Sequence, residues 1–301
     1  MIRTAPPPVA PVAMPPAGGP PDVRGDGLRL AYGARPVIEN LSVRLPPGKV
    51  TAIVGPNGCG KSTLLAGLAR LHPLAAGTVT IDGALLASLS PREAALRLGL
   101  LPQSATAPDG LTVLDLVRFG RHPHQGLLRQ WSAEDQAAVE AAIAAADIAD
   151  LVDRPLETLS GGQRQRAWIA MVIAQAAPVL LLDEPTAALD LGHQVEVFDL
   201  IRSLAAGGRT IAMVVHDLAS ACRYADHLIA MLDGRIVAEG PPVGVMTRSL
   251  VRALYGVDCT LVADPVTGTP LIAAVSLPNR AGANGSGHGH RAPLDSASAG
   301  P

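Results

Sequence analysis

The chain has 301 residues, 48% of them hydrophobic, and a formal net charge of -2, a profile that suits a folded protein with a large core. Its 24 basic and 26 acidic residues balance, which excludes a broad nucleic-acid-binding face, so no nucleic-acid partner is expected. Three cysteines exclude a paired disulfide framework and point to a reducing compartment.

Residues 1–22 carry eight prolines between positions 4 and 21 and read as a disordered tail with no apolar signal segment. Residues 28–32 and 41–45 read as short strands, and Val50–Val54 as a buried one. A Gly-rich turn follows, then Leu64, Leu65, Leu68 and Leu71 at helical spacing. Residues 78–81 predict a strand ending in the Asp82-Gly83 turn. Residues 133–146 predict a helix with Ser132 as its N-cap, and a second long helix is predicted over 163–176.

The apolar run 169–182 is broken by Gln175 and Pro178, so it spans no membrane. Within it, 179–182 is an all-apolar stretch between Pro178 and Asp183, the mark of a central parallel strand. Residues 211–215 predict another. His227–Leu232 and residues 235–238 flank Asp233-Gly234, a strong hairpin signal. Residues 279–301 read as a Gly/Ser tail, in which His288 and His290 are either a metal pair or solvated side chains. No internal repeat is visible. The alternation predicts one α/β domain over 23–278, with a mostly parallel core sheet and antiparallel strands at its start.

Three motifs carry chemistry. Gly55, Pro56, Asn57, Gly58, Cys59, Gly60, Lys61, Ser62 and Thr63 fit the phosphate-loop pattern between a strand end and a helix start. The glycines let backbone N–H groups cradle phosphate oxygens, Lys61 reaches the β- and γ-phosphates, and Ser62 ligates Mg²⁺. Cys59 has two readings: a small residue that fits, or a reactive thiolate favoured by Lys61 and the helix N-terminus. On the second, alkylation blocks nucleotide binding and ATP protects.

Asp183 and Glu184 close the strand 179–182, where ligands sit in parallel sheets. Asp183 is the expected Mg²⁺ holder through its water shell, and Glu184 the group that polarises the attacking water. Ser160, Gly161, Gly162 and Gln163 open the second long helix and form another backbone anion site. A second phosphate turn has no use for a single ATP in one chain. It makes sense if it serves the nucleotide of another copy.

Leu159, these four residues and the following Arg164, Gln165 and Arg166 resemble the signature of ABC-type ATPases, over about residues 26–275. The resemblance implies the P-loop NTPase fold, with an N-terminal antiparallel β-subdomain and a helical subdomain inserted at about 104–176. It implies ATP and Mg²⁺, and a head-to-tail dimer with two ATP between the subunits. Tyr32 lies where the family stacks a ring on adenine; a buried strand tyrosine is the other reading. Only 2 Trp, 3 Tyr and 2 Phe exist, so each ring counts. Gln103 matches the glutamine that contacts Mg²⁺ and water, and His216 the histidine that touches the γ-phosphate. Ala187, Ala188, Leu189 and Asp190 match the dimer-contact loop, with Ala187 where the family often has serine.

With no membrane-spanning segment, a transport role needs separate permease subunits, docked near Gln103, at the cytoplasmic face of the membrane. Leu111, Thr112 and Val113, residues 117–123, His124, Gln125 and Gly126, then His216, Asp217 and Leu218 and residues 221–226 resemble the ATPases of bacterial iron–siderophore importers. A substrate-binding protein is the implied indirect partner. Cobalamin or haem import and export are the alternatives. A soluble ABC ATPase fits less well: the chain has one cassette, and the interval from Lys61 to Leu159 is too short for the long coiled coil of chromosome-type relatives. The length after Pro242 is too small for a sugar-importer regulatory domain.

Overall fold

A computed structural model describes residues 19–126, 131–187 and 189–277. The expected first tail lies outside these residues up to residue 18, as do the whole of the expected tail 279–301, with His288 and His290, and Ala188. The end of the first tail is held: the Thr210 hydroxyl donates to the Pro21 carbonyl at 2.7 Å, and Asp22 pairs with Arg24 and Arg44 at 2.6 and 2.8 Å.

In chain order, β1 (Val23–Tyr32) and β2 (Arg35–Leu45) form a hairpin, and β3 (Val50–Val54) runs into α1 (Lys61–Leu68). Then come β4 (Ala76–Ile81), β5 (Ala84–Leu85), α2 (Pro91–Arg97), β6 (Leu98–Leu101), α3 (Val113–Phe119), α4 (Ala133–Ala145) and α5 (Gly161–Ala174). β7 (Val179–Asp183), α6 (Leu191–Ala206), β8 (Thr210–Val214), α7 (Leu218–Tyr224), β9 (His227–Leu232) and β10 (Arg235–Gly240) complete the core. α8 (Pro242–Val245), α9 (Arg248–Tyr255) and the hairpin β11 (Asp258–Ala263) and β12 (Pro270–Ser276) follow.

The central sheet runs β10-β9-β3-β8-β7-β6. Its strands from β9 to β6 are parallel, and β10 closes one edge antiparallel through the Asp233-Gly234 turn. β3, β7 and β8 are buried at every position, which is why they read as continuous apolar runs rather than alternating ones. A second, antiparallel sheet runs β2-β1-β4-β5. The side chains of β3, β7 and β8 divide between two cores. Ile53, Leu181 and Val214 face α1 and the antiparallel sheet, while Ala52, Leu182 and Met213 face the remaining helices. The fold is therefore α/β, a P-loop NTPase core with an antiparallel β-subdomain.

Helices α2 to α5 each begin with a capping box, from Ser90, Thr112, Ser132 and Ser160, paired with an acid or amide three residues on. Ser132 is thus the expected cap. Ser160 starts α5 at Gly161, two residues earlier than the apolar pattern suggests.

Helices α3, α4 and α5 pack together around a buried ion pair. Arg121, just past α3, is 1% exposed and donates from Nε to Asp135 Oδ1 at 2.9 Å; Asp135, in the first turn of α4, is 0% exposed. Arg121 also donates to the Ala174 carbonyl at the end of α5, at 2.9 Å. Burial raises the Asp135 carboxyl, but hydrogen bonds from Ser132 and Arg121 outweigh it and hold the group below the usual carboxylate range.

Candidate nucleotide site

The site lies at the carboxyl ends of four adjacent parallel strands, β3, β8, β7 and β6, where open α/β sheets place their ligands. A cavity of about 660 Å³ opens there. Its floor is the turn after β3, with Asn57, Gly58, Gly60, Lys61, Ser62 and Thr63, its side wall is the β1–β2 hairpin with Tyr32, Arg35 and Val37, and its far end carries Gln103, Glu184 and His216.

The floor follows from two glycines. Gly60 caps α1 at φ 104 and no side chain caps that helix, so its first-turn N–H groups are left for a ligand. At Gly55 a Cβ would stand 2.2 Å from the Met231 carbonyl, so only glycine lets the loop leave β3 there. Lys61 is 5% exposed and its ammonium donates to the carbonyls of Gly55 and Pro56, at 2.8 and 2.9 Å.

Cys59 corrects the thiolate expectation. Its side chain is buried in the core beneath the loop, and burial pushes the thiol up despite the pull of Lys61. The small-residue reading holds. Iodoacetamide is expected to label Cys59 far more slowly in the folded protein than in urea, as peptide mass spectrometry would record; equal rates would contradict this burial.

Strand order explains the far end. β7 lies between β6 and β8, so Glu184 emerges between Gln103 and His216, the residues that follow its two neighbours. Gln103 donates from Nε2 to Glu184 Oε1 at 2.7 Å, and His216 Nε2 reaches the same oxygen at 2.6 Å. Glu184 has φ 53, a left-handed conformation that costs of order 1 kcal/mol outside glycine and is held by the surrounding structure. Asp183, one residue earlier, is 6% exposed and accepts from the Ser62 hydroxyl at 3.1 Å. Burial raises its carboxyl; the Ser62 hydrogen bond offsets part of that.

Ser62 and Asp183 thus present two hard oxygen donors side by side. That suits Mg²⁺, which takes one or two protein oxygens and completes its shell with phosphates and water. Among the described residues no group of three or more His, Cys, Asp or Glu side chains forms a metal cluster.

Tyr32 is 57% exposed, which removes the buried-strand alternative. Arg35 and Val37 line the same wall although they belong to no motif; the sequence signal for Arg35 is its place opposite Tyr32 across a two-residue turn. Gln165 belongs to the signature stretch in sequence, but its contact is visible only in the fold. Its amide donates to the Pro185 carbonyl at 3.1 Å and ties α5 to the loop bearing Glu184.

Not every expected site residue meets this cavity. Ser160, Gly161, Gly162 and Gln163 lie at the start of α5 and do not line it, nor does Asp190, which caps α6 by accepting from the His193 N–H at 3.0 Å.

A family described as ABC transporter matches residues 38–187, a span holding the phosphate loop, the α5 turn and the Asp183-Glu184 strand end. The ferric enterobactin transport ATP-binding protein FepC of Escherichia coli is 51% identical over 251 residues, covering 83% of this chain and 93% of its own. The chain belongs to the ABC transporter family. As an ABC ATPase it also resembles the probable siderophore transport ATP-binding protein YusV of Bacillus subtilis, at 50% identity over 81% of this chain and 89% of that protein. Among solved structures, a dimeric bacterial ABC transporter cassette superposes with a TM-score of 0.66 and 26% identity, covering 73% of this chain and 98% of that one. No helix among the described residues is long and apolar enough to cross a membrane.

Proposed function

We propose that this ABC ATPase drives the import of ferric siderophores, as a head-to-tail pair bound to separate permease subunits at the cytoplasmic face of the membrane. The observation that carries the cargo is the 51% identity to the ferric enterobactin relative over nearly its full length. In this reading Tyr32 stacks on adenine, the floor N–H groups and Lys61 hold the β- and γ-phosphates, and Ser62 and Asp183 hold Mg²⁺. Bound Mg²⁺ neutralises charge on the phosphate oxygens. Glu184 accepts the proton of the attacking water, Gln103 orients that water, and His216 contacts the γ-phosphate.

Ser160, Gly161, Gly162 and Gln163 of a second copy close over the phosphates from the other side, with Asp190 at the contact between copies. Their position outside the cavity of their own chain supports this arrangement. A substrate-binding protein delivers the cargo to the permease.

The test is uptake of radiolabelled ferric siderophore under iron restriction. Uptake is expected to be lost in a deletion strain, restored by the wild-type gene and not restored by Glu184→Gln. Uptake equal to the parent in the deletion strain would reject the cargo, and a selective loss of growth on haem would reassign it.

A further inference from the structure

We infer that His72 is a positioning residue for nucleotide binding: it holds the Tyr32 ring from behind, in the pose that meets the base. The inference rests on the reading of Tyr32 as the base platform.

Tyr32 is the last residue of β1 and stands on the cavity wall with more than half its surface open. Such a ring has rotamer freedom that binding must remove, at a cost in affinity. One side of it is already covered. The His72 ring lies 4.4 Å from the Tyr32 ring, centroid to centroid, at an interplanar angle of 39°. His72 does not line the nucleotide cavity; it lines a separate groove with Leu71 and Pro73. The Tyr32 face toward the nucleotide therefore stays free while the other is supported.

The support is itself fixed at two points. His72 Nε2–H donates to the Ala31 carbonyl at 2.9 Å, on the residue preceding Tyr32. The backbone N–H groups of Leu71 and His72 both donate to the Ala66 carbonyl of α1, at 2.9 and 3.1 Å. Helix α1 carries the phosphate loop at its N-terminus and, just past its other end, the ring that backs Tyr32. One rigid element of about 12 Å thus sets the spacing between the phosphate end and the base end of the site.

The experiment compares ATP hydrolysis by the full-length wild type, His72→Ala, His72→Phe and Tyr32→Ala, with inhibition by inorganic tripolyphosphate as a probe that has no base. His72→Ala is expected to raise KM for ATP about two- to tenfold, with kcat and tripolyphosphate inhibition unchanged. His72→Phe keeps a ring against Tyr32 and is expected to restore most of the affinity. Tyr32→Ala is expected to raise KM at least as much as His72→Ala.

An unchanged KM in His72→Ala beside a raised one in Tyr32→Ala overturns the role of His72 alone. An unchanged KM in Tyr32→Ala overturns the base platform and the role of His72 with it. Equal weakening of ATP and tripolyphosphate in His72→Ala, or a His72→Phe enzyme as weak as His72→Ala, also overturns the inference.

Discussion

Glu184→Gln is expected to lower ATP turnover by about 10²–10⁴-fold while leaving ATP binding and ATP-dependent pairing of the chains intact. The carboxylate is the acceptor on which Gln103 and His216 converge, and glutamine keeps the shape but cannot take the water proton. In the proposed site the phosphates are held elsewhere, by the floor of the cavity and Lys61. Phosphate release measures the loss, and light scattering with ATP measures the pairing. Normal turnover by the variant would show that Glu184 is not the base.

Arg121→Met is expected to cost about 3–5 kcal/mol of stability, because it strands the fully buried Asp135 carboxylate without its cation. Urea denaturation measures this, and Arg121→Met combined with Asp135→Asn is expected to recover part of it. The sign of the pH dependence follows from the depressed Asp135 carboxyl. Its ordinary value is 3.8, and the folded value lies lower. The pair's contribution is complete above the ordinary value and fades as pH falls through the folded one. The gap between wild type and Arg121→Met therefore narrows below about pH 4. A gap under about 1 kcal/mol at neutral pH would contradict the burial of this pair.

The residues of the phosphate loop and the Asp183-Glu184 strand end are legible because each is a short, local pattern at the end of an apolar run. The convergence on Glu184 is not. It depends on β7 lying between β6 and β8, and chain order does not contain strand order. β6 itself goes unread, since Leu98–Leu101 is four residues with a glycine in it and no alternation. Asp135 is recognisable only as the acid of a capping box; that it also meets Arg121 follows from how α3 and α4 pack. The thiolate reading of Cys59 fails for a related reason. The nearness of Lys61 in sequence favours a thiolate, but the side chain turns into the core and burial wins.

In the proposed head-to-tail pair, hydrolysis needs the phosphate loop of one copy and the α5 turn of another. Lys61→Ala and Ser160→Arg, each expected to be inactive alone, test it when mixed with ATP. A mixed pair contains one site with an intact Lys61 and an intact Ser160, and hydrolysis is expected to reappear. If every mixture stays as inactive as its components, the two motifs do not come from different copies.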